Sequence, residues 1–282
     1  MATVRVLITV KTYPIPSAKY DELVCTAGVQ PDGSFIRLYP INYRDLPYSQ
    51  QYRKYQWIEV EAEKHTRDPR KESYRPSKAT ITILGEPMGT NGGTWSSRAK
   101  FALRQKARSI EDLMCRQADD GTSLGVFEPK DIYGLSYVDD APDWKPSFKR
   151  QLQQLRLWDD RKATKEPPRK VPYKFQYHFA CDDSRCKGKH QMMIEDWEVG
   201  AYYWRFVDAG ATPREAAEGV KARFLGDLCA PDRETHFYVG TVLKHPRSWI
   251  VLGVWWPRRA PTKLPQGGTL PLFPEEDLSR QQ

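Results

Sequence analysis

The stretch QWIEVEAEK (residues 56–64) carries the pattern that decides the N-terminal fold. Ile58, Val60 and Ala62 are apolar, and aromatic or acidic residues stand between them. This alternation places every second side chain on one face, which is typical of a β-strand with one side against a core. The stretch therefore predicts a half-buried strand.

Four more segments among the first 92 residues have the same character. They combine β-branched or aromatic residues, and turn residues such as the PDG at 31–33 separate them. The segments are VRVLITV (4–10), ELVCTAGV (22–29), FIRLYP (35–40) and ATITILG (79–85). Five short strands in this span predict a small barrel or a strongly curved sheet.

The remainder of the chain predicts a mixture of helices and strands, so the expected fold class is α+β. Strands are expected at 123–138, 174–181, 236–243 and 249–256, and the last two form a hairpin. Helices are expected over 96–109, from Ser109 onward, over 147–158, before Gly210 and from Pro213 onward. The last of these begins with a capping box in which Thr212 is the N-cap and Glu215 reaches back to it.

The sequence also predicts how the chain is organised. We expect a β-rich part (1–92), a mixed part that contains a Cys/His cluster (93–256), and a flexible tail (257–282). The tail holds five prolines and little periodicity, which favours an irregular conformation.

The composition excludes several classes of protein. Of the 282 residues, 39% are hydrophobic and 12% aromatic, which is more than a disordered chain carries. No apolar run approaches the roughly 20 residues that span a bilayer. The opening MATVRVLITVKTYP alternates, which is atypical of a secretory signal. Five cysteines, an odd number, favour the reducing cytoplasm over a disulfide framework.

The positive charge is concentrated in two stretches. The net charge is +8, and between Trp144 and Lys174 ten basic residues face three acidic ones. A second stretch, SSRAKFALRQKARS (96–109), has five basic residues and no acid, and as a helix it would present one basic stripe. Both stretches are candidates for contact with a nucleic-acid backbone, and the alternative is two solvated faces. The residues concerned are Lys100, Arg104, Arg108, Lys149 and Arg150.

Two N-terminal loops add further binding candidates. KTYPIPSAKY (11–20) follows the first strand, and HTRDPRKESYRP (65–76) follows the fourth. Loops at strand ends commonly carry binding residues, and basic residues beside aromatic ones suit phosphates and bases. The candidates are Lys11, Tyr13, Lys19, Arg67 and Arg70, and ordinary polar connections are the alternative.

The segment YHFACDDSRCKGKH (177–190) predicts a metal site. His178, Cys181, Cys186 and His190 have the spacing H-x2-C-x4-C-x3-H, and Zn²⁺ prefers four nitrogen or sulfur ligands in a tetrahedron. Four ligands in one loop would close the site, which favours a structural zinc. Two alternatives stay open. A remote fourth ligand can join the two cysteines and His190, or the loop binds no metal.

The segment IEDWE (194–198) is a candidate for chemistry. Asp196 or Glu198 can act as a general base, and Trp197 offers a face on which a nucleobase can stack. Acidic residues at the start of a helix also stabilise its free N–H groups, so capping is the alternative interpretation.

Two resemblances direct these features towards DNA. In the tail, TLPLF (269–273) resembles the peptide by which bacterial repair and replication proteins bind the sliding clamp. Leu270, Leu272 and Phe273 match that peptide, Thr269 replaces its usual Gln, and packing of the tail on its own domain is the alternative. Over most of its length the chain also resembles poorly characterised bacterial proteins associated with DNA modification and phage defence. The segments concerned are TVKTYP, FIRLYPI, DPRKESYRP, FACDDSRCKGKH with DWE, FYVGT and HPRSW.

We therefore expect a bacterial protein that acts on DNA and has no membrane partner. The narrowest hypothesis is a DNA glycosylase, a hydrolase that removes modified bases in antiviral defence, because such enzymes hold an extruded base between aromatic residues beside a carboxylate. A metal-dependent nuclease, a non-catalytic reader or adaptor of nucleic acid, and an RNA-directed protein are the alternatives.

Overall fold

The computed structural model describes residues 1–17, 21–147, 149–150 and 166–259. The N-terminal strands are β1 (Ala2–Lys11), β2 (Ile15–Ser17), β3 (Asp21–Val29), β4 (Phe35–Ile41), β5 (Trp57–Lys64), β6 (Ser73–Pro76) and β7 (Thr82–Ile83). The later strands are β8 (Leu124–Phe127), β9 (Asp131–Asp139), β10 (Tyr173–Ala180), β11 (His190–Met193), β12 (His236–Val242) and β13 (His245–Trp255). The helices are α1 (Ser96–Ala102), α2 (Ile110–Asp120), α3 (Trp197–Asp208) and α4 (Pro213–Lys221), and a π-helical turn (Ala222–Asp227) follows α4.

Five strands close into a barrel in the N-terminal region. β1 pairs with β3 on one side and with β5 on the other. β4 and β6 complete the ring, whose order is β1-β3-β4-β6-β5. All of these pairs are antiparallel except β4 with β6. The predicted β-rich N-terminal barrel is confirmed, and closure removes the free edges that an open sheet would expose.

The first strand is buried on both of its faces. Val6 and Ile8 lie in the core inside the barrel, and Leu7 and Val10 lie in a second core outside it. That second core contains Trp255 from β13. Because β1 serves two cores, its residues from Val6 to Val10 are all buried, although the sequence of the strand alternates.

The second part contains two three-stranded sheets and most of the helical residues. The sheets have the orders β11-β10-β9 and β13-β12-β8. A parallel bridge between Ile194 and Val251 joins them, and their shared core includes Phe127, Tyr177 and Phe237. This arrangement confirms the α+β class.

Several predicted helix boundaries are confirmed. Ser109 caps α2 by accepting a hydrogen bond from the backbone of Asp112. Thr212 caps α4 in the predicted capping box.

The predicted helix over 96–109 is wrong beyond Ala102. A turn follows α1, and the N–H of Ala107 then donates to the carbonyl of Val126 at 2.8 Å. The chain therefore leaves the helix to pair beside β8. Arg104 and Arg108 lie after α1, so they do not form one helical stripe with Lys100.

Other segments differ from the prediction or fall outside it. The strand predicted at 79–85 is reduced to the two residues of β7, which follow a 3-10 turn (Lys78–Thr80). Most of the helix predicted at 147–158 and residues 260–282 of the tail lie outside the described residues. None of the helices in the part of the chain that the structure describes is long and apolar enough to cross a membrane.

A buried ion pair fastens α3 to the barrel. Lys54, just before β5, places its Nζ 3.0 Å from Oδ2 of Asp196 and 3.2 Å from Oε1 of Glu198. The Asp196 side chain is fully buried, and it caps α3 by accepting from the backbone N–H of Glu198 at 3.0 Å. The backbone of Asp196 also forms a bridge with Thr12. The N-terminus of α3 is thus held between β1 and the approach to β5.

Replacement of Lys54 by methionine should destabilise the fold. The substitution keeps most of the volume but leaves the Asp196 carboxylate buried without its counter-ion, which typically costs about 3–5 kcal/mol. Urea unfolding should show this loss for Lys54→Met. The control Lys130→Met removes a pair between exposed side chains, and its loss should stay below about 1 kcal/mol. Equal stability of the two variants would contradict the structural role of Lys54.

Candidate functional site

A cleft of about 630 Å3 lies between the barrel and the second part. This volume is within the range of roughly 300–1,000 Å3 that is usual for ligand sites. Tyr55, Trp95 and Trp256 form its aromatic walls. The ring centroids of Tyr55 and Trp95 are 5.3 Å apart, and those of Trp95 and Trp256 are 5.2 Å apart. Tyr55 and Trp95 are only 5% and 7% exposed, so the partly buried Trp256 offers the accessible aromatic face of the cleft.

A buried arginine lies among these rings. Arg98 is only 9% exposed, and its guanidinium carbon is 4.2 Å from the Tyr55 ring centre and 4.8 Å from that of Trp95. Its Nε and Nη2 donate to the carbonyl of Met88 at 2.9 and 2.6 Å. No carboxylate among the described residues pairs with it, and burial lowers its pKa. A buried guanidinium without an acidic partner is suited to an anionic ligand.

Three more basic residues line the cleft. Lys54 is at its inner end, Arg258 is exposed, and the guanidinium of Arg233 is 5.4 Å from the ring centre of Trp256. Glu198 is the one acidic residue among the described residues that line the cleft. Positive charge therefore exceeds negative charge at this surface.

The backbone around the cleft is strained. Within the described residues, Tyr55, Asn91 and Trp95 are the non-glycine residues with positive φ, at 61°, 49° and 54°. Tyr55 and Trp95 line the cleft, and Asn91 lies in its rim next to Gly92 and Gly93, which also have positive φ. Left-handed conformations of bulky residues are costly and cluster at functional sites. This concentration points to the cleft as the candidate site.

The two predicted catalytic carboxylates lie in different surroundings. Asp196 is buried beneath the cleft as the cap of α3, which was the alternative interpretation. Burial raises the pKa of Asp196 to about 6, and the charge of Lys54 opposes that rise. The carboxylates of Asp196 and Glu198 hold the pKa of Lys54 above its usual range, although its own burial opposes this. Glu198 is 49% exposed and faces the cleft. The catalytic roles stay predictions.

The candidates at the end of β1 lie beside the cleft in a cluster of aromatic residues. The Nζ of Lys11 is 4.0 Å from the ring centre of Tyr43 and 5.0 Å from that of Trp197. Burial and the nearby charge of Lys54 lower the pKa of Lys11 to about 8. Tyr13 packs on Gly200 of α3, where a Cβ would come within 2.1 Å of its ring. None of these three candidates, Lys11, Tyr13 and Trp197, lines the cleft.

The other predicted contacts are dispersed. Those that the structure leaves on exposed surface away from the cleft are Arg67, Lys100, Arg104, Arg108, Lys149 and Arg150. Lys19 lies outside the described residues. Arg70 is occupied, because it donates to both oxygens of Asp68 and to the carbonyl of Thr241 at 2.6 Å. Its role in the structure is to hold the loop before β6 against β12.

A separate cluster can hold a metal ion. Glu111, Cys181 and His190 place their ligand atoms within 4.8 Å of one another. Cys186 joins them, with its Sγ 3.3 Å from Nε2 of His190, which is itself 2.7 Å from Oε1 of Glu111. Burial raises the pKa of the Cys181 thiol to about 12. The cluster joins the first turn of α2 to the ends of β10 and β11.

His178 lies outside this cluster, and its role as a metal ligand stays a prediction. It alternates along β10 with the buried Tyr177 and Phe179, and its Nε2 is 2.6 Å from Oγ of Ser136 on β9. Glu111 occupies the corresponding place, in agreement with the alternative of a remote ligand. Because β-strand side chains alternate, His178 and Phe179 cannot face the same side.

Sequence reasoning missed most of the cleft. Its residues come from segments far apart in the chain, namely 54–55, 90–98, 198, 233 and 254–258, and of these only Glu198 was a predicted site residue. The GTNGGT segment (89–94) was the available signal, because adjacent glycines often mark a left-handed backbone. Nothing in the local sequence indicates that Trp256 and Arg258 meet that segment.

Comparisons with known proteins define the family and little more. A family model described as a domain of unknown function (DUF8757) matches residues 105–272, and one described as a domain of unknown function (DUF8758) matches residues 2–104. No curated protein matches the chain. A solved structure described as a murine DNA-binding protein bound with double-stranded DNA is 9% identical, with a TM-score of 0.31. That match covers 94% of this chain and 100% of the other. A likeness at this TM-score supports no conclusion about the present chain.

Proposed function

We propose that this chain, which belongs to the family described as a domain of unknown function (DUF8757), binds DNA through the cleft. The observation that carries the proposal is the position of Arg98, a buried guanidinium that lies between Tyr55 and Trp95 with no acidic partner among the described residues. The N–H groups of a guanidinium can donate to two oxygens of a phosphate, and the partly exposed ring of Trp256 can stack on a base.

The charge around Arg98 extends the contact surface. Arg233 and Arg258 lie on adjacent segments joined by a β-bridge, and the N–H of Arg258 donates to the carbonyl of Gly93 at 2.9 Å. A rigid strand end and a glycine-rich rim thus hold the two arginines together. Fixed cations lose little freedom when they bind a polyanion, and they release its counter-ions.

Reversal of the two rim charges should weaken DNA binding. We expect the double variant Arg233→Glu/Arg258→Glu to bind a duplex at least tenfold more weakly at 0.1 M salt. Loss of two phosphate contacts should also flatten the dependence of log K on log salt by roughly 2. Fluorescence anisotropy at several salt concentrations measures both quantities, and thermal melting checks that the variant is folded.

Two control sets locate the binding surface. Arg5→Glu/Lys130→Glu makes the same change in net charge on exposed side chains away from the cleft and should bind almost as well as the wild type. The triple variant Lys100→Glu/Arg104→Glu/Arg108→Glu should also lose less affinity than the rim variant. A larger loss in the triple variant would place DNA on another surface. If RNA displaces DNA from the wild-type protein in a competition assay, the natural ligand is RNA and the proposal of DNA binding is wrong.

Base excision is the second candidate function, and Glu198 is the observation that favours it. This half-exposed carboxylate lies at the cleft within 3.2 Å of the Lys54 ammonium. Glu198 can take a proton from water while the water oxygen bonds to C1′ of the sugar. The glycosidic bond breaks as the new C1′–O bond forms, and the proton held by Glu198 passes to the departing base, which restores the carboxylate. The role in phage defence stays a prediction. The peptide that resembles a sliding-clamp ligand (269–273) lies outside the described residues, so binding to the clamp also stays a prediction.

A glycosylase would leave abasic sites in DNA that carries its modified base. We expect alkali-dependent strand breaks in modified phage DNA that persist in EDTA and fall at least a hundredfold in Glu198→Gln. Glu63→Gln, an exposed acid on β5, is the matched control and should keep the activity. Breaks that need no alkali and disappear in EDTA would identify a metal-dependent nuclease instead.

We also propose that the cluster of Glu111, Cys181, Cys186 and His190 holds a structural zinc ion. Two thiolates, an imidazole and a carboxylate form a donor set that suits tetrahedral Zn²⁺. Four protein ligands from three elements leave no open position for substrate, so the ion would fasten α2 to the strands.

Metal analysis separates this ligand set from the one that the sequence predicts. Protein purified without chelator should carry one equivalent of zinc. Glu111→Gln and His190→Ala should lose most of it and melt at a lower temperature, whereas His178→Ala should retain it. Full zinc content in Glu111→Gln with loss in His178→Ala would support the sequence-predicted set and contradict the observed geometry.

A further inference from the structure

A second, smaller cavity lies on the other side of Asp196. We call this cavity of about 160 Å3 the base pocket. Its aromatic walls are Tyr13, Trp144, Tyr173 and Phe175. Asp196 also lines it, and the carboxylate of that residue binds Lys54 of the cleft. The ion pair of Asp196 with Lys54 therefore lies between the two cavities.

The size and walls of the pocket suit one planar ring. An apolar cavity of roughly 150 Å3 is known to admit benzene. Aromatic walls stack on heterocycles of any identity, since every base has a π-face. Stacking alone does not distinguish one nucleobase from another, so recognition of a particular base requires a polar group in the pocket.

Glu195 supplies that polar group. It lines the pocket, and its carboxylate has neither a hydrogen-bond nor an ion-pair partner among the described residues, although its backbone N–H and carbonyl are both bonded. Burial raises the pKa of Glu195 to about 7, against the charge of Lys174. A carboxyl group held between its two protonation states can donate and accept, or accept only.

We propose that the base pocket receives a single nucleobase extruded from bound DNA and that Glu195 binds its hydrogen-bonding edge. The inference rests on the proposed DNA binding and names the part of the substrate that leaves the duplex. Cytosine and adenine present a ring nitrogen acceptor beside an amino donor, which complements a protonated carboxyl group. Uracil presents a ring N–H, which complements a carboxylate.

The preference for a base should therefore change with pH. Below pH 7 the carboxyl group of Glu195 is protonated, and the pocket should bind cytosine more tightly. As the pH rises this group ionises, and the affinity of the pocket for uracil should increase. The other titratable groups at the pocket are Tyr13, Asp140, Lys170, Tyr173, Lys174 and Asp196. Among these, Lys170 and Lys174 share the single carboxylate of Asp140, so one of the two positive charges is left uncompensated.

Free bases test the pocket without DNA. The probes are cytosine and uracil at millimolar concentration, and the readout is isothermal titration at pH 6 and pH 8.5. Cytosine should bind better at pH 6, by about tenfold. Glu195→Gln keeps the shape and should remove the pH dependence. Val171→Trp, at a residue that lines the pocket, should abolish binding, whereas Val138→Trp, at an exposed valine outside it, should not. Binding that persists in Val171→Trp, or a pH dependence that persists in Glu195→Gln, overturns the proposal.

Duplexes test extrusion. A mismatched base costs less to unpair, so the wild type should bind a duplex with a central mismatch about tenfold more tightly than a paired one. Val171→Trp should lose that preference and keep its affinity for the paired duplex. Equal affinity of the wild type for the two duplexes overturns the inference and leaves DNA binding intact. Binding of cytosine without binding of any duplex instead overturns the proposed function and supports the pocket.

Discussion

The contact between Lys54 and Asp196 organises the centre of the molecule. Asp196 caps α3, and its pairing with Lys54 neutralises the buried carboxylate and joins the barrel to the second part. Because Asp196 lines the base pocket while Lys54 and Glu198 line the cleft, the same contact sets the wall between two cavities. A charge pair so enclosed is sensitive to the loss of either member, and both candidate sites depend on it.

The cleft and the metal cluster have separate roles in this account. The cleft combines rings, unpaired guanidinium charge and a strained backbone, all of which suit a ligand. The cluster fastens α2 to β10 and β11 through side chains that are largely withdrawn from solvent. The predicted loop of four ligands and the observed cluster share Cys181, Cys186 and His190, and Glu111 lies in the cluster where the prediction had His178.

The sequence predicted the barrel because the patterns that indicate strands and turns are local in the chain. Alternation in β5 and the turns between strands depend on neighbouring residues, as do the caps at Ser109 and Thr212. The cleft is different, because Arg98 and Arg258 meet only after folding and neither is marked by its neighbours. The basic helical stripe was wrong for a similar reason: pairing of Ala107 beside β8 outweighs helix propensity after Ala102.

The most direct measurement of the central claim is hydrogen–deuterium exchange with and without saturating duplex DNA. DNA in the cleft should slow exchange at residues 90–98 and 254–259 while leaving the exposed end of β9 unchanged. Protection confined to residues 65–71 and 104–108, with none around the cleft, would contradict the account.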